Sequence, residues 1–151
     1  MDFLIYLLIS VISYLGLLSG IVISWMAKEE LKPGKRYFVL MHNIILAFIL
    51  FFMLEQLKSN IYIILFLPLA FVILSFIYVD LYKKTNYIYV LLGLIFYLSS
   101  RSSDYFLIIS TLIFFYGFLV GALQIGLKEK NYLKIIGKNA FFFICLILFF
   151  I

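Results

Sequence analysis

The chain has 151 residues, of which 67% are apolar, 21% aromatic and 13% charged, with a formal net charge of +5. Soluble domains carry about 25% charged residues, so this composition excludes a soluble globular protein and points to one membrane domain solvated by the bilayer. The positive charges punctuate apolar runs and form no stripe along a polar face, which excludes nucleic acid and names anionic lipid headgroups as the acidic partner.

Apolar runs separated by charged or Gly/Ser/Asn breaks predict six helices, over 3–26, 37–57, 61–79, 86–98, 105–127 and 133–151. The first opens behind Asp2 with no basic residue, unlike a cleaved signal peptide. Tyr14 falls near its middle, where a phenol in hydrocarbon needs a partner: another tyrosine such as Tyr116, or a backbone carbonyl. Gly16, Gly20 and Ser24 follow at spacings of four, a row of small residues on one face that lets a neighbouring backbone approach closely.

The stretch WMAKEELKPGKRYF, residues 25–38, holds six of the nineteen charges. It reads as a turn in which KEEL prolongs the first helix, Pro33 and Gly34 break it, and RYF starts the second. Lys28, Lys32, Lys35 and Arg36 are expected to contact headgroups. Glu29 and Glu30 pair with Lys32 or Arg36, or form the acidic half of a site for a cationic group.

His42 and Asn43 lie one to two turns into the second run, and polar side chains there face a bundle interior. The ordinary titration of imidazole near neutral pH fits proton coupling. With a single histidine, a histidine-rich metal site is excluded, and no metal or cofactor is expected. Glu55 and Gln56 read as a polar cap at the outer end, and Pro68 as a kink in the third run. The fourth run has about a dozen strongly apolar residues, short of a hydrocarbon core about 30 Å thick at 1.5 Å per residue. The fifth repeats the pattern of the first, with Gly117 and Gly121 four apart, Tyr116 near the middle and Gln124 near the inner end, followed by Lys128 and Lys130 as headgroup contacts. The sixth spans with ease only if Lys134 and Lys138 extend their ammonium groups to the interface. Cys145 within it reads as a small buried hydrophobe.

Short cytoplasmic loops collect Lys and Arg. Six crossings place ten basic residues in loops 27–36, 80–86 and 128–138 and leave only Lys58 and Arg101 on the other side. Were the fourth run not to cross, the division would fall to seven against five. The expectation is therefore an all-α, multi-pass cell-membrane protein of six spans with short fourth and sixth spans, both termini outside and the three basic loops cytoplasmic. Trp25, Tyr37, Tyr78, Tyr82, Tyr87 and Tyr132 mark the inner boundary, and Tyr62, Tyr97 and Tyr105 the outer one.

Residues 16–38 can be laid on 117–141, matching Gly16 and Gly20 to Gly117 and Gly121, Lys28-Glu29 to Lys128-Glu129, and Gly34-Lys35 to Gly137-Lys138. The single domain then reads as hairpins 1–57, 58–100 and 101–151, the first and third related by an internal repeat.

The segment VDLYKKTN after the third run resembles the first-aspartate region of prepilin peptidases, but that family's second carboxylate, in a Gly-x-Gly-Asp setting, has no counterpart here, and Asp104 falls on the opposite side. A prenyl-protease reading of Glu29-Glu30 lacks the following Arg and the paired histidines. With no Gly-x-Ser-x-Gly and no phosphate-binding loop either, no enzyme is expected. The function expected is transport or permeation of a small solute, ion or lipid along a path lined by Tyr14, His42, Asn43, Tyr116 and Gln124. The alternative is a non-catalytic subunit or assembly factor whose glycine faces dock partners, in a homo-oligomer or a larger membrane complex.

Overall fold

The computed structural model describes residues 2–77, 85–127 and 132–149. Among them the chain is all helical: α1 (Phe3–Met26), α2 (Lys28–Gln56), α3 (Ile61–Ile77), α4 (Thr85–Ser99), α5 (Ser103–Leu127), α6 (Tyr132–Asn139), a 3-10 turn (Ala140–Phe143) and α7 (Ile144–Leu148). Phe3–Met26, Arg36–Gln56 and Ser103–Gln124 are long and apolar enough to cross a membrane. Ile61–Leu74, Tyr87–Ser99 and Ile135–Leu148 are shorter apolar helices. The last is continuous in direction but tightens at the 3-10 turn, where Phe142 is fully buried.

The break expected at Pro33 and Gly34 is corrected. The first two helices part at Ala27, whose φ of −112° and ψ of 38° leave the helical region, and α2 runs on through Pro33. The physical reason is position. Pro33 is the sixth residue of α2, past the four N–H groups that lack an intrahelical partner, so it withholds one helical bond, from the Glu29 carbonyl, and the helix continues at that cost. No described glycine takes a positive φ, so Gly34 supplies no left-handed turn. Among the described residues the one with a left-handed φ is Lys58, at 51°. There Ser59 N–H donates to Leu54 O at 3.2 Å and Lys58 N–H to Glu55 O at 2.9 Å, the two closures of a Schellman cap that ends α2.

The centre of the bundle is α1 packed on α5, while α1 and α2, neighbours in sequence, barely touch. The two central helices run in the same direction: Tyr6 stacks near Phe106, Ser13 Oγ donates to Ser110 O at 3.2 Å, and Gly16 and Gly20 face Phe114 and Phe118. The small residues set this approach. A Cβ added to Gly16 would lie 2.7 Å from the Phe114 carbonyl carbon, and one on Gly117 would lie 2.8 Å from Leu17 N. Ridges this close leave room for backbone against backbone and nothing larger.

The other helices alternate in direction around that pair. His42 of α2 meets Tyr116 of α5, Phe96 near the end of α4 meets Phe106 near the start of α5, and Tyr6 OH reaches Cys145 O while Tyr14 OH reaches Ile136 O. Thus α2, α4 and the α6–α7 segment run opposite to α1 and α5. Gln56 Nε2 donates to Leu98 O at 2.9 Å and ties the ends of α2 and α4 together. Helix α3 packs chiefly against α2 and turns most of its circumference outward, with only Ile64 and Pro68 buried among residues 61–74.

The exterior is apolar, unlike that of a soluble protein. Leu4, Leu65, Phe66, Phe115 and Ile147 are at least half exposed, while Ser10, Ser13, Ser24, His42, Asn43, Ser99, Ser110 and Asn139 are buried within a largely apolar core. An apolar exterior with polar side chains turned inward is what a hydrocarbon solvent selects. Trp25, Tyr37, Tyr62 and Tyr87, each near the limit of an apolar segment, project outward, as interfacial aromatic rings do.

A polar and aromatic layer as candidate functional site

Five helical segments contribute to a layer of rings halfway along the bundle. His42 sits on α2 with its ring 4.7 Å from that of Tyr116 on α5, Tyr116 lies 5.7 Å from Tyr89 on α4, and Tyr89 lies 6.4 Å from Tyr14 on α1. Phe142 of the 3-10 turn closes the layer, stacked on Tyr14 at 6.2 Å and edge-on to Tyr89 at 6.5 Å. Each ring is brought there by the spacing of its own helix. On α1 the buried stripe is Tyr6, Ser10, Ser13, Tyr14, Gly16, Leu17, Gly20, Ile21 and Ser24, so Tyr14 shares a face with the glycines that hold α5 close. On α4 the close approach of Gly93, whose added Cβ would meet Phe142 O at 2.6 Å, brings Tyr89 one turn away against Tyr14 and Tyr116.

Polar satisfaction is uneven across this layer. Tyr14 OH donates to Ile136 O at 2.7 Å, one of the two kinds of partner expected for it. His42 Nδ1 lies 3.1 Å from Asn43 Oδ1. The amide oxygen can only accept, so in the neutral ring Nδ1 carries the proton and Nε2 keeps its lone pair. Nε2 of His42 and the hydroxyls of Tyr89 and Tyr116 are buried and find no partner among the described residues. A carbon built on Gly117 would stand 3.3 Å from Tyr89 OH, so the missing side chain of Gly117 is what gives this hydroxyl its place beside α5. Unpaired buried polar atoms cost on the order of 1–3 kcal/mol each, which makes this layer the candidate site.

A second, smaller polar group lies at Asn139, the last residue of α6. Asn139 Nδ2 donates to Ile135 O at 3.0 Å and reaches Gln124 Oε1 at 3.5 Å, while Asn139 Oδ1 and, on α1, Ser24 Oγ have no partner among the described residues.

Of the residues singled out from sequence, the structure brings His42, Asn43 and Tyr116 together and joins Tyr14 to them only through Tyr89. Gln124 stands apart, two turns along α5 with Asn139. Tyr14 and Tyr116 do not bond each other. Gly16, Gly20, Gly117 and Gly121 meet across the α1–α5 seam, and Ser24 is buried at its end. Lys28, Lys32, Lys35, Glu29 and Glu30 lie in the first turns of α2, but their side chains are outside the described residues, as are Lys128 and Lys130 altogether. Arg36 is exposed.

Sequence reading missed Tyr89, Gly93 and Asn139. Tyr89 lies early in a short helix, where a tyrosine reads as an interfacial ring. The available signal was the four-residue spacing from Tyr89 to Gly93, one helical face. The interior is uncharged: no described Asp, Glu, Lys or Arg is buried. No protein-family model matches the chain, and no curated protein or solved structure is significantly similar to it.

Proposed function

We propose that this chain is a six-span membrane protein that carries a small solute through the interior of its bundle, past Tyr14, His42, Asn43, Tyr89 and Tyr116, with Gln124 and Asn139 at the inner mouth. The observation that carries the reading is the group of unpartnered buried polar atoms, His42 Nε2, Tyr89 OH and Tyr116 OH, enclosed by helices whose outward faces are apolar. Helix packing alone would have favoured apolar rings there, because lipid-facing bundles gain nothing from burying unpaired polar groups.

The proposed topology has both termini outside and loops 27–36, 80–86 and 128–138 cytoplasmic. It is supported by the alternating helix directions and by the ten-to-two division of basic residues. The short α4, 15 residues long, then requires a locally thinned bilayer. Lys and Arg of the inner loops contact anionic headgroups.

The exposed circumference of α3 favours a second reading, a subunit that docks on a larger membrane complex or on copies of itself. Purified chain in liposomes separates the two. Solute flux that is lost in His42→Ala and Gln124→Ala supports the path. A chain that is inert alone and co-purifies with a larger assembly supports the subunit.

A further inference from the structure

The chemistry of the unpartnered atoms defines what the layer can hold. His42 Nε2 presents an acceptor, since Asn43 Oδ1 occupies the Nδ1 side at 3.1 Å. Tyr89 and Tyr116 each present a hydroxyl that donates as well as accepts. Both tyrosines are at most 1% exposed and His42 is fully buried, so these groups face the interior and no solvent. Their rings pack against one another, Tyr116 lying 4.7 Å from His42 and 5.7 Å from Tyr89 between centroids, with Phe142 edge-on to Tyr89.

An ion finds no countercharge here to offset its desolvation, because no described Asp, Glu, Lys or Arg is buried and an isolated charge in such surroundings is costly. A neutral molecule with one donor and one or two acceptors satisfies all three groups.

We infer that His42, Tyr89 and Tyr116 form an uncharged hydrogen-bonding site for a small neutral solute bearing a hydroxyl or amide group, and that this site rejects ions. The inference rests on the interior being a solute path and names the class of solute that path selects. Its donor is read by His42 Nε2, and its acceptor by the two phenols.

His42 is the only histidine, so its ring nitrogens give a self-assigned signal. The test uses the full chain with 15N-labelled histidine in phospholipid nanodiscs, titrated separately with glycerol, acetamide, sodium acetate and ammonium chloride. Glycerol or acetamide is expected to move the Nε2 resonance upfield, saturably, and the two salts to leave it in place. In Tyr116→Phe the midpoint should rise about fivefold, the loss of one neutral hydrogen bond. Tyr62→Phe, on the outward face of α3, should not change it. No saturable movement with either neutral solute, or equal movement with the salts, overturns the site.

Flux of the same solutes into liposomes is read in parallel. A saturable His42 response without flux upholds the site and defeats the solute path. Flux without a His42 response upholds the path and defeats the site.

Discussion

The α1–α5 seam makes the sharpest quantitative prediction. Replacing Gly16 by Ala would put a methyl carbon 2.7 Å from the Phe114 carbonyl carbon and 2.9 Å from its Cα, where ordinary contact begins at 3.4 Å. The listener here is backbone on both sides, so no rotamer change relieves the clash and the helices must part by about 1 Å, a gap that forfeits a quarter to a half of each affected dispersion contact. Gly20→Ala meets the same obstacle at Phe118, 2.8 Å from its carbonyl carbon. Overpacking of this kind costs about 1–3 kcal/mol, and with rigid partners each single substitution should fall near the top of that range. The double substitution should cost less than the sum, because helices already parted by the first methyl leave space for the second. Gly137→Ala is the internal control. Nothing lies within 4 Å of a Cβ there, so it should stabilise by about 0.5–1 kcal/mol through helix propensity alone. Reversible unfolding in mixed micelles, with helical circular dichroism as the signal, measures all four variants. Gly16→Ala and Gly20→Ala costing no more than Gly137→Ala would refute the close seam.

Three further outcomes follow from particular contacts. Tyr14→Phe loses the 2.7 Å bond to Ile136 O and should destabilise by about 0.6–1.7 kcal/mol, whereas Tyr116→Phe removes a buried hydroxyl without a described partner and should stabilise by about 1 kcal/mol in the same unfolding assay. Lys58→Gly relieves a left-handed conformation at φ 51° and should stabilise by about 1 kcal/mol, measured the same way. Cys145 is fully buried, so a maleimide should fail to modify it in the folded protein and modify it fully once the bundle is unfolded, as mass spectrometry would record.

Much of the architecture is written in local patterns. The all-α class follows from unbroken apolar runs, and the first run, 3–26, coincides with α1 because nothing within it competes with helix. What local pattern misjudged was the turn at 25–38. A Pro-Gly pair signals a break, but here proline forgoes one helical bond without ending the helix, and Ala27 alone, an unremarkable residue, turns the chain. The end of α2 shows the reverse, a Schellman cap closed on Lys58 where the pattern would want glycine.

The candidate site was legible residue by residue but not as a group. His42, Asn43 and Tyr116 stand out as polar groups in apolar runs, yet their union depends on which helices become neighbours, and α1 chooses α5 over its sequence neighbour α2. Small residues announce that a close approach occurs without naming its partner. Tyr89 was hidden for a related reason. In a short helix the distance from the end, which separates interfacial rings from interior ones, is only a turn, and it is the approach of Gly93 to the 3-10 turn that carries this ring inside.

The six-span arrangement is tested most directly by single cysteines placed at Lys35, Lys58, Lys83 and Arg101 in a Cys145→Ser background, with intact cells exposed to a membrane-impermeant maleimide. Labelling is expected at 58 and 101 from outside, and none at 35 and 83 until the membrane is permeabilised. Labelling at 35 or 83 in sealed cells, or protection of both 58 and 101, would contradict it.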